Sequence, residues 1–134
     1  MQIRHTQYFT YWEAAISQKP GYDLKITIFP DGEDPQSFIE TAARLYLEAM
    51  KRQQFLLHEA VQKELLELYN DCWRQDDVVL TFDKFVRHLR LDAFSVDTTI
   101  PITLYYDAGD LFGGHAVAMD IDRNFVYQQY DLRG

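Results

Sequence analysis

The chain predicts an α+β fold: an antiparallel sheet, built from an N-terminal hairpin plus four C-terminal strands, covered on one face by two or three helices. Three observations carry this. Apolar residues alternate with polar ones from Tyr22 to Ile28. No Gly or Pro interrupts the chain between Pro35 and Pro101, and much of that stretch shows helical apolar stripes. Strand-like runs separated by short turns fill residues 91–134. Runs of strands with the helices segregated between them are the signature of this class.

The elements follow in order. Tyr8 to Ile16 mixes aromatics with Thr and reads as a strand. Lys19-Pro20-Gly21 is a turn signal. Tyr22, Leu24, Ile26 and Ile28 then alternate with Asp23, Lys25 and Thr27, which completes the hairpin. Asp34 is placed as an N-cap, with Pro35 at the first helical position. Phe38, Ala42, Leu45 and Ala49 share one helical face, with Ile39, Ala43, Tyr46 and Met50 beside them. A second stripe, out of phase with the first, runs Val61, Leu65, Leu68, Cys72, flanked by Leu57, Leu66, Tyr69 and Trp73. Lys51-Arg52-Gln53-Gln54 lies between the stripes without an apolar side chain, so the segment is two helices or one helix bent there. Asn70-Asp71 and Gln75-Asp76-Asp77 weaken the helix at its end. Thr81 caps a short helix that buries Phe82, Phe85, Val86 and Leu89. Strands are expected at Leu91–Val96, Ile100–Tyr106, His115–Ile121 and Phe125–Tyr130, with turns at Asp97-Thr98-Thr99 and Asp122-Arg123-Asn124 and a longer loop over Asp107–Gly114.

Composition narrows the function classes. The 134 residues are 47% apolar and 15% aromatic, enough for one folded domain spanning 1–134. Lys and Arg number 13 against 21 Asp and Glu, a net charge of −8. Phosphate neutralisation needs a basic face, so neither a nucleic acid nor an anionic membrane is an expected partner. The charge is uneven: residues 91–134 hold seven Asp against two Arg, a net of −5. The single cysteine, Cys72, excludes an internal disulfide and suits a reducing compartment. No run is long and apolar enough for a membrane helix, and no apolar signal-peptide core follows Met1. A soluble cytoplasmic protein is expected.

Motifs for chemistry are sparse, and no cofactor or metal is expected. His58-Glu59 lacks the second His of a zincin, because position 62 is Gln. Asp120, Asp122, Asn124 and Asp131 match calcium-loop spacing, but Phe125 stands where the loop needs Gly, so Asp120 and Asp122 read as the solvent face of a strand ending in a turn. His88 is expected at the surface beside Arg87 and Arg90. His115, after Gly113-Gly114, could act as a general base oriented by Asp107 or Asp110, the basis of an alternative reading as a small enzyme. The preferred reading of His115 is a structural hydrogen bond at a strand end. No serine sits in a nucleophile motif.

Three blocks carry a family likeness: Leu65-Leu66-Glu67-Leu68-Tyr69-Asn70-Asp71-Cys72-Trp73, Leu80-Thr81-Phe82-Asp83-Lys84-Phe85, and Asp107-Ala108-Gly109-Asp110-Leu111-Phe112-Gly113-Gly114-His115. Trp12-Glu13 fits the same pattern near the N-terminus. Together they resemble an uncharacterised bacterial family, a domain of unknown function, over roughly residues 8–122. Lys84 departs from the pattern at a usual acidic position, so a full capping box is absent. The resemblance implies an immunity protein of a polymorphic or contact-dependent toxin system, whose partner is a cognate toxin domain. The composition agrees, since an acidic, Tyr-rich surface suits a basic partner. The expected partner-binding residues are Asp107, Asp110, Asp120 and Asp122, with Asp31 and Glu33 in a second patch. A module that self-associates through a sheet edge is a further alternative. The sequence leaves the oligomeric state open. It does imply that the blocks around Trp73 and Asp110–His115 meet, with Trp73 buried against the sheet.

Overall fold

The computed structural model describes the backbone of residues 2–7, 12–19, 22–29, 35–97 and 102–134, and the side chains of 40–96 and 102–134. The fold is α+β. Its strands are β1 (Gln2–Gln7), β2 (Trp12–Lys19), β3 (Tyr22–Phe29), β4 (Arg90–Asp97), β5 (Ile102–Asp107), β6 (Ala116–Ile121) and β7 (Tyr127–Arg133), in sheet order β1-β2-β3-β4-β5-β6-β7. Strands β4 to β7 pair antiparallel throughout. Backbone pairing carries the sheet on through β3, β2 and β1. The β3–β4 pair is parallel, Ile26 lying opposite Phe94. A parallel neighbour requires a long crossover, and here the helical stretch between β3 and β4 supplies it. Strand β1 has no counterpart among the elements expected from the sequence. The proposed Asp34 cap, the Asp97–Thr99 turn and the acidic residues Asp31 and Glu33 involve positions outside those whose side chains are described.

The helical stretch is one run, 35–73. Helix α1 (Pro35–Ala60) passes into a π-helical turn (Val61–Leu65), a short α2 (Leu66–Leu68) and a second π-helical turn (Tyr69–Trp73). The break is therefore not at Lys51–Gln54, which lies within α1; the phase change belongs to the π turns. Val61 and Leu65 are fully buried, and Tyr69 and Trp73 are half-buried on the same line, while Cys72 is exposed. Residues spaced by four drift in an α-helix, by about 120° over the twelve residues from Val61 to Trp73. Wider i→i+5 turns take up that drift and keep the four side chains on the core. The stripe thus runs 61, 65, 69, 73; Leu68 packs beside it, and of the expected positions Cys72 is the one left exposed.

The helical run lies on one face of the sheet, crossing its strands in turn. Phe94, Leu104 and Met119 form one buried cross-strand row, and Tyr106 and Val117 another. Tyr46 of α1 meets Phe94 edge-on at 5.5 Å. Tyr106 donates its hydroxyl hydrogen to Gln53 Oε1 (3.0 Å), and Tyr127 donates to Glu64 Oε1 (3.1 Å). Each large apolar side chain withdrawn from water here contributes roughly 1.5–3 kcal/mol before chain entropy is counted. On the opposite face the row is polar: Ser95, Thr103, Asp120 and Gln129 are successive cross-strand neighbours.

After the helical run, Thr81 caps α3 (Phe82–Val86), its Oγ1 accepting the Lys84 backbone N–H at 3.4 Å, and Phe85 is fully buried. At the other hairpin, Asp122 Oδ1 accepts the N–H groups of Asn124 and Val126, and Phe125 adopts φ 62°. That turn extends to Val126, which is why β7 begins at Tyr127 and runs on to Arg133, not Phe125 to Tyr130.

Burial and the Glu64 carboxylate push the Tyr127 phenol above the ordinary range. A raised folded-state value means the folded protein keeps a proton that the unfolded chain releases. The stabilisation is therefore present below about pH 10 and lost as pH rises beyond it. Replacing Tyr127 with Phe is expected to cost about 1 kcal/mol at neutral pH and to flatten the alkaline decline in urea stability. An unchanged decline in Tyr127→Phe would assign the alkaline sensitivity elsewhere.

Candidate functional site

Where the helical run ends, the chain builds a cleft. Arg74 turns extended at ψ 130°, so the helix stops at Trp73. Its terminal carbonyls are met by the chain itself: Arg74 N–H donates to Tyr69 O (2.8 Å) and Arg74 Nε to Asn70 O (3.2 Å). The Asn70 amide then clamps the returning chain, Nδ2 donating to Leu80 O (3.1 Å) and Oδ1 accepting from Leu80 N (3.0 Å). Asn70, read from sequence as a helix weakener, instead ties residues 74–80 to the helix end. Asp76 Oδ1 accepts the Val78 N–H at 2.9 Å and shapes the bend between them.

The loop from Asp107 to His115 forms the facing wall. It is held by its own hydrogen bonds, Leu111 N to Ala108 O (3.1 Å) and His115 N to Phe112 O (3.0 Å). Phe112 is fully buried, its ring 6.1 Å from Tyr69, 5.7 Å from Trp73 and 6.1 Å from Phe85. Gly113 lies at φ 61°, and a Cβ there would meet the Trp73 ring at 3.4 Å; Gly114 lies at φ 87°. Only glycine enters this region without strain, so the Gly-Gly pair lets Phe112 plug the core before β6 begins. The sequence blocks around Trp73 and Asp110–His115 do meet.

The resulting cleft holds about 400 Å³ and is lined by Tyr69, Trp73, Gln75, Asp76, His88, Gly109, Asp110 and Leu111. The Asp110 carboxylate is exposed and makes no hydrogen bond or ion pair among the described residues. His88 Nδ1 lies 2.8 Å from Lys84 O. A carbonyl only accepts, so Nδ1 carries a proton and donates it to Lys84 O. Asp76, His88 and the aromatic pair were not among the expected binding residues. The signal available for Tyr69 and Trp73 was their place in the same sequence block as Asn70.

The expected acidic residues divide. Asp107 and Asp110 stand together at the cleft end of the sheet. Asp107 accepts the Gly109 N–H at 2.8 Å and faces Arg90 at 3.3 Å, so it is partly neutralised. Asp120 is not on a solvent face: it is 7% exposed, accepting the Thr103 hydroxyl (2.7 Å) and Gln129 Nε2 (3.0 Å). A carboxylate in that position needs such donors, and its burial withdraws it from a partner's surface. Asp122 is committed to its turn and to Gln128 at 3.2 Å. It also lies just past the far end of β6, about 20 Å away along the strand direction. These two do not extend the Asp107–Asp110 patch.

His115 is placed for packing. Its ring meets Trp73 edge-on at 6.0 Å, and its buried Nδ1 makes no hydrogen bond. Gly134 closes over that nitrogen, leaving no room for a side chain at 134. Neither Asp107 nor Asp110 hydrogen-bonds to it, so the expected strand-end hydrogen bond and the general-base arrangement are both missing from the described geometry. His58 packs on Phe82 (5.0 Å, interplanar angle 88°) and lines a second cleft of about 430 Å³ with Gln62 and Leu66. Among the described residues, no group of three or more His, Cys, Asp or Glu side chains is placed to hold a metal ion. No helix among them is long and apolar enough to cross a membrane.

Phe112 tests this construction. Phe112→Ala is expected to cost about 3–5 kcal/mol in urea unfolding, and Phe112→Leu markedly less. A cost below about 1 kcal/mol for Ala would show that the loop is not anchored through this ring.

No curated protein and no solved structure matches the chain. A family model does, over residues 3–131. The chain therefore belongs to the family described as an uncharacterised protein conserved in bacteria (DUF2262).

Proposed function

We propose that this chain is a cytoplasmic immunity protein that binds and neutralises a cognate bacterial toxin domain with a basic surface. The observation that carries the reading is the cleft end of the molecule. There Asp76, Asp77, Asp92, Asp107 and Asp110 are all exposed, and the Asp110 carboxylate, unpaired among the described residues, borders an aromatic-lined cleft. Arg90, which bridges Asp92 (3.6 Å) and Asp107 (3.3 Å), offsets this charge only in part. The net charge of −8 adds to the local field. Summed charge steers a basic partner and depends little on any single carboxylate. A toxin that acts on nucleic acid needs a basic surface to hold phosphate, and an acidic partner covers that surface. Of the alternatives, an enzyme using His115 with Asp107 or Asp110 draws no support from the packed His115 ring.

The test begins with the product of the gene directly upstream. Co-expression of this chain is expected to relieve growth arrest caused by that product, and the two should form a complex. Association should slow markedly as salt rises beyond physiological strength, where the screening length falls below about 8 Å. Neutralising Asp107 and Asp110 together (Asp→Asn) should lower the on-rate more than it raises the off-rate. A harmless upstream product that does not bind would overturn the immunity reading. A salt-independent on-rate would overturn the electrostatic one.

A further inference from the structure

The cleft between the helix end and the 107–115 loop has a composition that selects its occupant. Its walls are two aromatic side chains, Tyr69 and Trp73, together with Leu111. Its polar members include the Asp76 and Asp110 carboxylates and the His88 ring. Hydrogen bonding inside the protein decides what these groups can offer. Asp76 uses Oδ1 in its own bend, leaving Oδ2. Asp110 has both oxygens available among the described residues. His88 commits Nδ1 to Lys84 O, leaving Nε2 uncommitted among the described residues. The two carboxylates would repel an anion and favour a cation. A metal ion is a poor match as well, since no three ligating side chains converge here.

We infer that the cleft receives an arginine side chain of the bound partner protein, its guanidinium among the Asp110 and Asp76 carboxylates and the His88 ring, and its stem along Tyr69 and Trp73. The match is one of shape and of charge. A guanidinium is flat, permanently cationic and carries five N–H donors. It stacks on aromatic faces, and its methylenes cover apolar surface. An ammonium supplies charge without the plane. A volume of about 400 Å³ admits such a side chain with room to spare. The position also fits: the cleft lies at the end of the molecule where exposed carboxylates draw a basic surface inward. The inference rests on the proposed function for the identity of the partner, but the cleft's chemistry can be probed without it.

The experiment titrates the intact chain with N-acetyl-arginine methylamide, followed by two-dimensional NMR. N-acetyl-citrulline methylamide, isosteric and neutral, is the control, and N-acetyl-lysine methylamide tests the plane against the charge. Saturable shifts are expected at the Trp73 indole N–H and at the Asp110 and Leu111 amides. Citrulline should bind at least tenfold more weakly, and lysine should fall between. Asp110→Asn, an exposed substitution expected to leave the fold intact, should weaken arginine binding about fivefold and leave citrulline unchanged. Absence of saturable shifts at the cleft, equal response to citrulline, or an unaffected Asp110→Asn variant would each overturn the inference. Failure here leaves the immunity reading standing if the upstream product still binds. A harmless, non-binding upstream product alongside arginine binding in the cleft would sink only the immunity reading.

Discussion

Phe112 is the side chain on which the functional end of the molecule depends. Its ring lies within about 6 Å of Tyr69 and Trp73, at the two ends of the second π-helical turn, and of Phe85 in α3. Edge-to-face contacts of this kind add roughly 0.5–1.5 kcal/mol each to the burial itself. They also fix orientation, which matters more here. Phe112 is the only large side chain that a nine-residue loop sends into full burial, although Leu111 and Ala108 are also largely withdrawn from water. Gly113 and Gly114 allow the backbone to turn back into β6 directly afterwards. Asp110 is thereby held at the cleft instead of moving with a free loop.

The rest of the architecture serves that placement. The π turns keep Val61, Leu65, Tyr69 and Trp73 on one line, so the helical run arrives at Phe112 with its aromatic side inward. Asn70 binds Leu80 through both ends of its amide and so brings Asp76 and α3 back against the helix end. Thr81 starts α3, and α3 presents both Phe85 to the core and, just beyond its end, His88 to the cleft. Widened helical turns recur at functional sites in proteins generally, and here the second one carries two of the cleft's walls. The exposed acidic residues then stand at this end, whereas Asp120 is buried in the sheet, where Thr103 and Gln129 hydrogen-bond it.

Much of this was legible in the sequence, for stated physical reasons. Period-two alternation and the gap between Pro35 and Pro101 announce the α+β class. Thr81 reads as a cap because a hydroxyl before an apolar helical stretch has few other uses. The phase difference between the two apolar stripes was visible too, but its cause was not. An α-helical template assigns Cys72 to the core, whereas a wider turn brings in Trp73. Asp120 was misread because a strand buried on both faces breaks the alternation of polar and apolar residues, and an Asp in it looks like a solvent position. Asp76 and His88 could not be placed beside Asp110 from sequence, since Asn70 and Phe112 create that proximity through tertiary contacts. The parallel β3–β4 pairing was hidden for a similar reason: the crossover fixes it, not the strands.

Native-state hydrogen exchange tests the central claim most directly. The amides of Leu111 and His115 donate to Ala108 and Phe112 carbonyls within the loop. If Phe112 locks this loop to the core, these two amides should exchange nearly as slowly as those of β5 and β6, through the same large-scale opening. Exchange at the rate of a free surface loop, with β5 and β6 still protected, would contradict the account, because the cleft would then have no fixed wall.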